Sequence, residues 1–308
     1  MLQQTQVARV VERYRGFVRV FPSVRALAGG SESSVLALWQ GLGYYRRARH
    51  LHAAAVMIVS EFGGRVPRTV DRLRRLPGVG RYSAGAIASI VYGRAEAVVD
   101  GNVARVLARL DGRDGGAGGG EWAWSRSAEL VGVAETPGVF NEGLMELGAR
   151  VCTPRSPRCG SCPLRRLCVA YRLGLQETIP APRKAARRRR EYHHAVVVRR
   201  GVGSGARLLL ERRPSSGMWA DMWQVPTVEA ARALSVDAVR SGVSGSASSV
   251  TELKKVASFE FGTTHRLITF CVYTARSRQR RGVWRCADDL SDLPMSNAQR
   301  RVLARAIC

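Results

Sequence analysis

The hydrophobic positions of the chain follow two different periods, and the change from one to the other predicts two domains. From residue 3 to about residue 20 the apolar residues Val7, Val10, Val11, Tyr14, Phe17 and Val18 recur at helical spacing. Further stretches of helical period continue to about residue 178, with almost no strand-like alternation. We therefore predict that residues 1–178 form an all-α domain.

Beyond residue 191 the pattern becomes that of short strands. The runs HAVVVRR, ARLLLERR and FEFGTTHRLITFCVYTA are rich in β-branched or aromatic residues, and a helical period returns near residues 228–241. This mixture predicts a smaller α/β domain over residues 192–308. Residues 179–191 between the two include APRKAARRRRE, a basic linker whose arginines either contact phosphates or remain solvated.

The charge of the chain favours a polyanionic partner without deciding on one. The 308 residues include 49 Lys and Arg against 24 Asp and Glu, which gives a formal net charge of +25. Such an excess indicates nucleic acid, although a GC-rich genome also raises the arginine content. No apolar run reaches the roughly 18 residues of a membrane span, and no secretory signal precedes the first helix. We expect no membrane association and a reducing cytoplasm, where disulfides are rare.

Four cysteines lie close together in VCTPRSPRCGSCPLRRLC, residues 151–168. Their spacing is C-x6-C-x2-C-x5-C, and the residues are Cys152, Cys159, Cys162 and Cys168. A disulfide framework, a zinc site and an iron–sulfur cluster are the three interpretations. The reducing compartment disfavours the first, and four thiolates suit either of the other two.

The stretch LPGVGRYSAGAIASI, residues 76–90, predicts a tight turn between two helices. Gly78 and Gly80 flank Val79, and glycine permits unusual backbone angles while leaving no side chain to block a phosphate. Backbone N–H groups at the start of the second helix would face that phosphate. We interpret residues 73–90 as a helix-hairpin-helix, a sequence-independent anchor for DNA.

A single carboxylate, Asp100, follows an apolar run in VVDGNVARVLARL. On its own it indicates a helix N-cap, with Asn102 in the first turn of the helix. The helix-hairpin-helix, an aspartate at this offset and the cysteine spacing together resemble the endonuclease III superfamily of base-excision glycosylases. In that superfamily the four cysteines hold a [4Fe–4S] cluster, so the resemblance favours iron–sulfur over zinc.

Within the superfamily the chain resembles the MutY-type adenine DNA glycosylases. Bifunctional lyases carry a lysine after the hairpin, where this chain has Tyr82. Further stretches that resemble the MutY type are MLQQTQV (1–7), GLGYYRRARHLH (41–52), FNEGLMELGARVCTP (140–154) and LLLERRPSSGMWADMWQVP (208–226).

The resemblance implies an all-α helix-hairpin-helix glycosylase domain with an iron–sulfur cluster loop at residues 152–168, followed by a smaller α/β Nudix-like domain. No Nudix box is present, so we expect this domain to bind rather than hydrolyse. The implied substrate is double-stranded DNA with an A:8-oxoguanine or A:G mispair, bound by a monomer in the bacterial cytoplasm, at the nucleoid.

The resemblance also assigns roles to residues that the pattern alone would leave as core or solvated positions. Asp100 matches the carboxylate beneath the sugar, Tyr82 and Asn102 lie in the catalytic motifs, and Glu142 matches the glutamate that hydrogen-bonds the flipped adenine. Expected contacts to DNA or to the lesion are Gln4, Thr5, Leu42, Tyr44, Gly78, Val79, Gly80, Thr264 and His265. Thr263 and Thr264 replace the Phe and Ser of the family's Phe-Ser-His loop, and a threonine hydroxyl can still donate one hydrogen bond.

One family residue is absent from the sequence as printed. The proton-donating glutamate of the family lies two residues before a methionine that corresponds to Met1. We expect either that translation starts further upstream or that the chain binds lesions without excising a base. An endonuclease III-like lyase is the third interpretation, which Tyr82 disfavours.

Overall fold

The structure, a computed structural model, describes residues 1–3, 5, 7–114, 120–181, 188–201, 205–243, 250–290 and 293–307. Gln4, predicted to border the lesion, lies outside the described residues. The described residues up to 178 contain helices and no strand, which confirms the all-α prediction. Each helix within the described ranges falls short of the length or the apolar character that a membrane span requires.

In the described residues, helices occupy the chain up to residue 172 and the strands begin at residue 189, with two further helices among and after the strands. The helices are α1 (Val7–Val20), α2 (Val24–Gly29), α3 (Glu32–Leu38), α4 (Arg46–Glu61), α5 (Val70–Arg74), α6 (Arg81–Ala86), α7 (Gly101–Leu110), α8 (Gly120–Gly132), α9 (Pro137–Arg150), α10 (Val169–Arg172), α11 (Val236–Val243) and α12 (Asn297–Ile307). The strands are β1 (Arg189–Arg200), β2 (Arg207–Arg212), β3 (Trp223–Gln224), β4 (Thr227–Ala230), β5 (Val250–Gly262), β6 (Arg266–Ser277) and β7 (Val283–Cys286).

The compact units of the chain divide it differently from the predicted boundary. One unit, residues 53–185, contains the hairpin and the cysteines; the other combines residues 1–52 with residues 186–308. Long-range contacts within the second unit account for this. Gln40 Nε2 donates to Leu293 O at 3.1 Å, and Tyr45 Oη donates to Met295 O at 3.4 Å. We call residues 53–185 the helical unit and the other the composite unit.

Helix α7 is the centre of the helical unit. Every residue from Val103 to Arg109 is buried, as in a helix that is surrounded on all sides. Its apolar side chains form a core with α8 and α9 that includes Ala123 and Leu144. Two arginines, Arg105 and Arg109, are buried in the same helix, so their charged groups require partners inside the protein.

The composite unit contains one mixed sheet between two helices. The strand order is β3-β2-β1-β6-β5, with β4 paired to β1 and β7 to β2. Strands β1 and β6 run parallel, and successive residues of β1 are buried on opposite faces. Val197 packs on the side of α12 and Val196 on the side of α11. The predicted α/β fold class is therefore confirmed. The helix predicted near residues 228–241 begins only at Val236, because Thr227–Ala230 pair with β1 as strand β4.

Candidate functional site

The helix-hairpin-helix turn lies between α5 and α6. Gly78 has a φ of +77°, a left-handed conformation that favours glycine. Gly80 is the N-cap of α6, and no side chain caps that end of the helix. A Cβ added at Gly80 would meet nothing within 4 Å. The turn therefore leaves open space beside the first backbone N–H groups of α6, as binding of a phosphate through the backbone requires.

Asp100 is the N-cap of α7, as its sequence position predicts. Asp100 Oδ1 accepts hydrogen bonds from the backbone nitrogens of Asn102 and Val103, both at 2.8 Å. Asp100 Oδ2 accepts a third bond of 3.1 Å from Asn102 Nδ2. Three N–H groups thus fix the half-buried carboxylate at a helix end that favours negative charge. The capping role and the catalytic role predicted for Asp100 are compatible.

Tyr82 lies close enough to Asp100 for the charge of the carboxylate to affect the ionisation of the phenol. Burial raises the pKa of the Tyr82 phenol above its ordinary value, and the Asp100 carboxylate raises it further. Tyr82 Oη donates a hydrogen bond of 3.3 Å to Met145 Sδ on α9. Glu142 is exposed and lies three residues before Met145, on the same face of α9. Tyr82, Asp100 and Asn102 are thus brought together, with the face that carries Glu142 beside Tyr82.

Arg105 connects this site to the start of the cysteine-rich segment. Its Nη2 donates to Asn102 Oδ1 at 2.9 Å and to Gly148 O at 2.8 Å. Its Nε donates to Cys152 O at 2.8 Å. The guanidinium can satisfy all these acceptors because its donors lie in one fixed plane. Asn102, which orients Asp100, is therefore itself held by a buried cation.

Arg109, one turn further along α7, contacts the cluster loop, residues 152–168. Arg109 Nη1 donates to Cys152 Sγ at 3.3 Å and to Thr153 O at 2.7 Å. Cys168 Sγ donates to the carbonyl oxygen of Arg109 at 3.3 Å. One buried helix therefore carries the carboxylate at its N-terminus and supports two of the four cysteines near its C-terminus.

The four cysteines predicted to bind the cluster border one small cavity and form no disulfide. Within the described ranges no three Cys, His, Asp or Glu side chains are grouped as the ligands of a single metal ion would be. The thiols instead surround shared space, which suits a group larger than one ion. Burial raises the pKa of Cys159 and of Cys162, so both thiols release a proton when they bind metal. These residues fit an iron–sulfur cluster.

A second site lies in the composite unit, where the GLGYY loop faces the turn between β5 and β6. Tyr44 Oη and Thr264 Oγ1 lie 3.2 Å apart, within hydrogen-bond distance. Tyr44 is half-exposed and has a φ of +46°, which is uncommon for a residue with a side chain. The sequence prediction placed both residues at the lesion, and the structure brings them together.

An arginine that was not predicted holds the GLGYY loop in place. Arg47 Nη2 donates to Thr5 Oγ1 at 2.8 Å and to the carbonyl oxygens of Leu42 and Gly43 at 3.3 and 3.2 Å. Its guanidinium also lies 5.4 Å from the centre of the Tyr44 ring. Arg47 therefore fixes Thr5 and the loop as one structure.

The cleft around this loop has a volume of about 1000 Å³. Its walls include Tyr44, Trp219 and the turn Thr263–His265. Of these, Tyr44, Thr264 and His265 were predicted from the sequence, and Trp219 and Thr263 were not. Arg49 supports one wall, because Arg49 Nη2 lies 3.0 Å from Asp221 Oδ2 and donates to Ala220 O. Leu42 borders the cleft but is only 5% exposed, so the loop backbone and Tyr44 present most of this surface.

Sequence reasoning missed the arginines that position these sites: Arg47, Arg49, Arg105 and Arg109. They are hard to recognise among 49 basic residues. Arg105 and Arg109 could have been found from the sequence, because each lies among apolar residues in NVARVLARL. Their spacing also places them on the same helix face as Asn102.

Three protein families match successive parts of the chain. Residues 1–118 match the HhH-GPD superfamily of base excision DNA repair proteins. Residues 152–168 match the iron-sulfur binding domain of endonuclease III, and residues 194–305 match the NUDIX domain. The predicted fold class and the predicted iron–sulfur motif are confirmed.

Curated relatives include adenine DNA glycosylases from animals and bacteria. The human adenine DNA glycosylase is 40% identical over 275 residues, which cover 74% of this chain and 50% of that protein. The adenine DNA glycosylase of Mycolicibacterium smegmatis is 44% identical over 164 residues, 53% of this chain and 56% of the relative. The chain thus spans about half the length of the curated relatives that it matches.

Solved structures with a similar fold include a thermostable thymine-DNA glycosylase, at 28% identity and a TM-score of 0.49, covering 56% of this chain and 80% of that one. An endonuclease III–DNA complex is 24% identical with a TM-score of 0.48 over the same shares. From the matched families and the curated relatives, residues 1–118 are similar to the HhH-GPD superfamily of base excision DNA repair proteins, and the chain is similar in sequence to adenine DNA glycosylases.

Proposed function

We propose that the chain is a monofunctional adenine DNA glycosylase that hydrolyses the N-glycosidic bond of adenine paired with 8-oxoguanine or guanine in double-stranded DNA. The observation that carries this proposal is the fixed carboxylate of Asp100 beside Tyr82 and Asn102. The similarity to adenine DNA glycosylases over 74% of the chain supports the choice of base.

The proposed chemistry explains why a carboxylate is required there. Adenine is first flipped out of the duplex, since its glycosidic bond is not accessible within the stack. When that bond breaks, its electron pair leaves with the base, a proton is added to adenine, and the sugar becomes an oxocarbenium-like cation that water then attacks. Asp100 stabilises this cation, because three N–H groups hold its carboxylate in one orientation.

Tyr82 supports the same step as a neutral phenol. Its raised pKa keeps the hydroxyl protonated at neutral pH, so it can donate a hydrogen bond and does not add a second negative charge beside Asp100. A phenol at this position also forms no Schiff base, which agrees with a monofunctional enzyme rather than a lyase. Glu142, on the face of α9 that carries Met145, is proposed to bind the flipped adenine.

The remaining predicted residues bind the rest of the substrate. The turn Gly78–Gly80 is proposed to hold a backbone phosphate through N–H groups, without reading sequence. Tyr44, Thr264 and His265 are proposed to contact 8-oxoguanine in the cleft of the composite unit. The four cysteines would hold a [4Fe–4S] cluster, which orders the cluster loop when bound. Arg109 then fixes that loop against α7 through Cys152 and Thr153.

The test is single-turnover excision of adenine from a duplex with one A:8-oxoguanine pair. The assay is run on the chain as printed and on a form extended by the residues encoded in frame upstream of Met1. In the form that excises adenine, Asp100→Asn should lower the rate by about 10²-fold or more. Asp111→Asn, at the other end of α7, is the matched control and should retain the rate.

Two outcomes would reject the proposal. An Asp100→Asn variant that excises adenine at the original rate would show that Asp100 does not stabilise the transition state. A protein–DNA adduct trapped in high yield by borohydride would indicate a lyase mechanism instead.

A further inference from the structure

The last three of four consecutive arginines, Arg188 to Arg190, lie where the predicted basic linker meets the sheet. The sequence left open whether the linker arginines contact phosphates or remain solvated. In the structure β1 already begins at Arg189, two residues before the predicted end of the linker. These arginines therefore have fixed backbone positions, whereas a solvated linker would leave them free to move.

The backbone places the arginines beside the turn that is proposed to contact the lesion. Arg189 N donates to His265 O at 2.9 Å, and β1 pairs with β6 from Arg189 opposite Arg266. A Cβ added at Gly262 would lie 3.2 Å from Arg188 Nη1, so the guanidinium of Arg188 lies next to Gly262. Arg188, Arg189, Arg190 and Leu267 border one open groove of about 610 Å³, here named the arginine groove.

The charge in this groove is not balanced by the protein. The nearby carboxylate, Glu191, is buried and already pairs with Arg266 at 2.8 Å and with Arg189 at 3.2 Å. In the part of the chain that the structure describes, no carboxylate lies within 4.0 Å of the guanidinium nitrogens of Arg188 or Arg190. Both side chains are exposed. Two cations on a fixed backbone are thus left free to bind an anion from solution.

We propose that Arg188 and Arg190 bind neighbouring phosphates of the DNA strand that carries the lesion. Residues two apart on a strand are separated by about 6.6 Å, a spacing that matches successive phosphates along a DNA backbone. Arginine is suited to this role because its planar group forms paired hydrogen bonds with phosphate oxygens. The proposal rests on the proposed function, since it takes the turn Thr263–His265 as the lesion contact.

The test measures the salt dependence of DNA binding by the full chain. Fluorescence anisotropy gives the Kd for a duplex with one A:8-oxoguanine pair and for an undamaged duplex, between about 50 and 200 mM KCl. The double variant Arg188→Gln/Arg190→Gln should reduce the slope of log K against log salt by about two, since each phosphate contact contributes about 0.9. Affinity should fall by the same factor for both duplexes, because phosphate contacts carry no base information.

Two further double variants make the result specific. Arg278→Gln/Arg280→Gln removes the same charge at the same spacing beyond the other end of β6, from two exposed arginines, and should leave the slope unchanged. Arg188→Lys/Arg190→Lys keeps the charge and should retain most of the slope. Melting curves check that every variant is folded.

The proposal is overturned if Arg188→Gln/Arg190→Gln leaves the slope unchanged, or if the control pair lowers it equally. Loss of affinity for the damaged duplex alone would also overturn it, since it would indicate contact with the base. If the slope is unchanged while affinity for a poly-glutamate peptide falls, the groove binds an acidic protein instead of DNA. These slopes do not depend on excision, so failure of the proposed glycosylase activity would be recognised separately.

Discussion

Arg105 Nη2 lies 2.9 Å from Asn102 Oδ1, and this contact fixes which end of the Asn102 amide faces the carboxylate of Asp100. With its oxygen held by the guanidinium, the amide nitrogen donates to Asp100 Oδ2 at 3.1 Å. An amide is the group that this position requires, because it accepts from a cation on one side and donates to a carboxylate on the other. Asn102 therefore acts as a positioning residue for Asp100.

Asn102→Asp should lower the excision rate at neutral pH at least tenfold. The substitution replaces the 3.1 Å donor–acceptor contact with two carboxylates, and each raises the pKa of the other. As the pH falls, one shared proton restores a hydrogen bond between the two carboxylates. The difference in excision rate between the variant and the unmodified chain should therefore shrink. Single-turnover rates from about pH 5 to pH 8 provide the measurement. A deficit that is constant across this range would show that Asn102 does not orient Asp100.

The phenol of Tyr82 makes a separate prediction about stability at high pH. Burial, and then the charge of Asp100, raise its pKa in the folded protein above the value of about 10 in the unfolded chain. The contribution of the protonated phenol to the stability of the fold is therefore fully present below about pH 10 and is lost as the pH rises through the folded pKa. Urea unfolding between about pH 8 and pH 11 should show a smaller loss of stability for Tyr82→Phe than for the unmodified chain. Tyr14→Phe, on an exposed face of α1, is the matched control.

Much of the candidate site could be predicted from local sequence. The turn Gly78–Gly80, the N-cap Asp100 and the cysteine spacing are set by residues close together in the chain, and backbone conformation at such sites depends mainly on local rules. The continuous apolar run in β1 likewise predicts a strand that is buried on both faces.

What could not be predicted depends on contacts between distant parts of the chain. Arg47 differs from other arginines only through its contacts with Thr5 and the GLGYY loop. The grouping of residues 1–52 with residues 186–308 depends on pairs such as Gln40 and Leu293, which no local pattern reveals. The start of β1 at Arg189 was hidden for a related reason: a charged run has no hydrophobic period, and its pairing with β6 determines the strand.

The pair formed by Tyr44 and Thr264 predicts how the opposite base is selected. Thr264→Val removes the hydroxyl while keeping the shape of the side chain. Under the proposed function, the preference for 8-oxoguanine over guanine opposite adenine should then fall about fivefold. This is the effect of losing one hydrogen bond of about 1 kcal/mol. Thr264→Ser keeps the hydroxyl and should retain the preference. Since both side chains are exposed, thermal stability should hardly change in either variant. Equal selectivity of the two variants would exclude a role for the hydroxyl.

Two glycines on the same helix provide a matched test of how closely α9 must approach the first turn of α7. A Cβ at Gly148 would lie 2.8 Å from Asn102 Cβ, whereas one at Gly143 would meet nothing within 4 Å. Gly148→Ala should therefore destabilise the protein by about 1–3 kcal/mol, since α9 or the first turn of α7 must move, and excision should slow because Asn102 moves with it. Gly143→Ala should be neutral or stabilise by up to about 1 kcal/mol through helix propensity. Urea unfolding and single-turnover excision on both variants provide the comparison. If Gly148→Ala matched Gly143→Ala in stability and rate, the close approach of α9 to Asn102 would have no influence on the position of the Asp100 carboxylate.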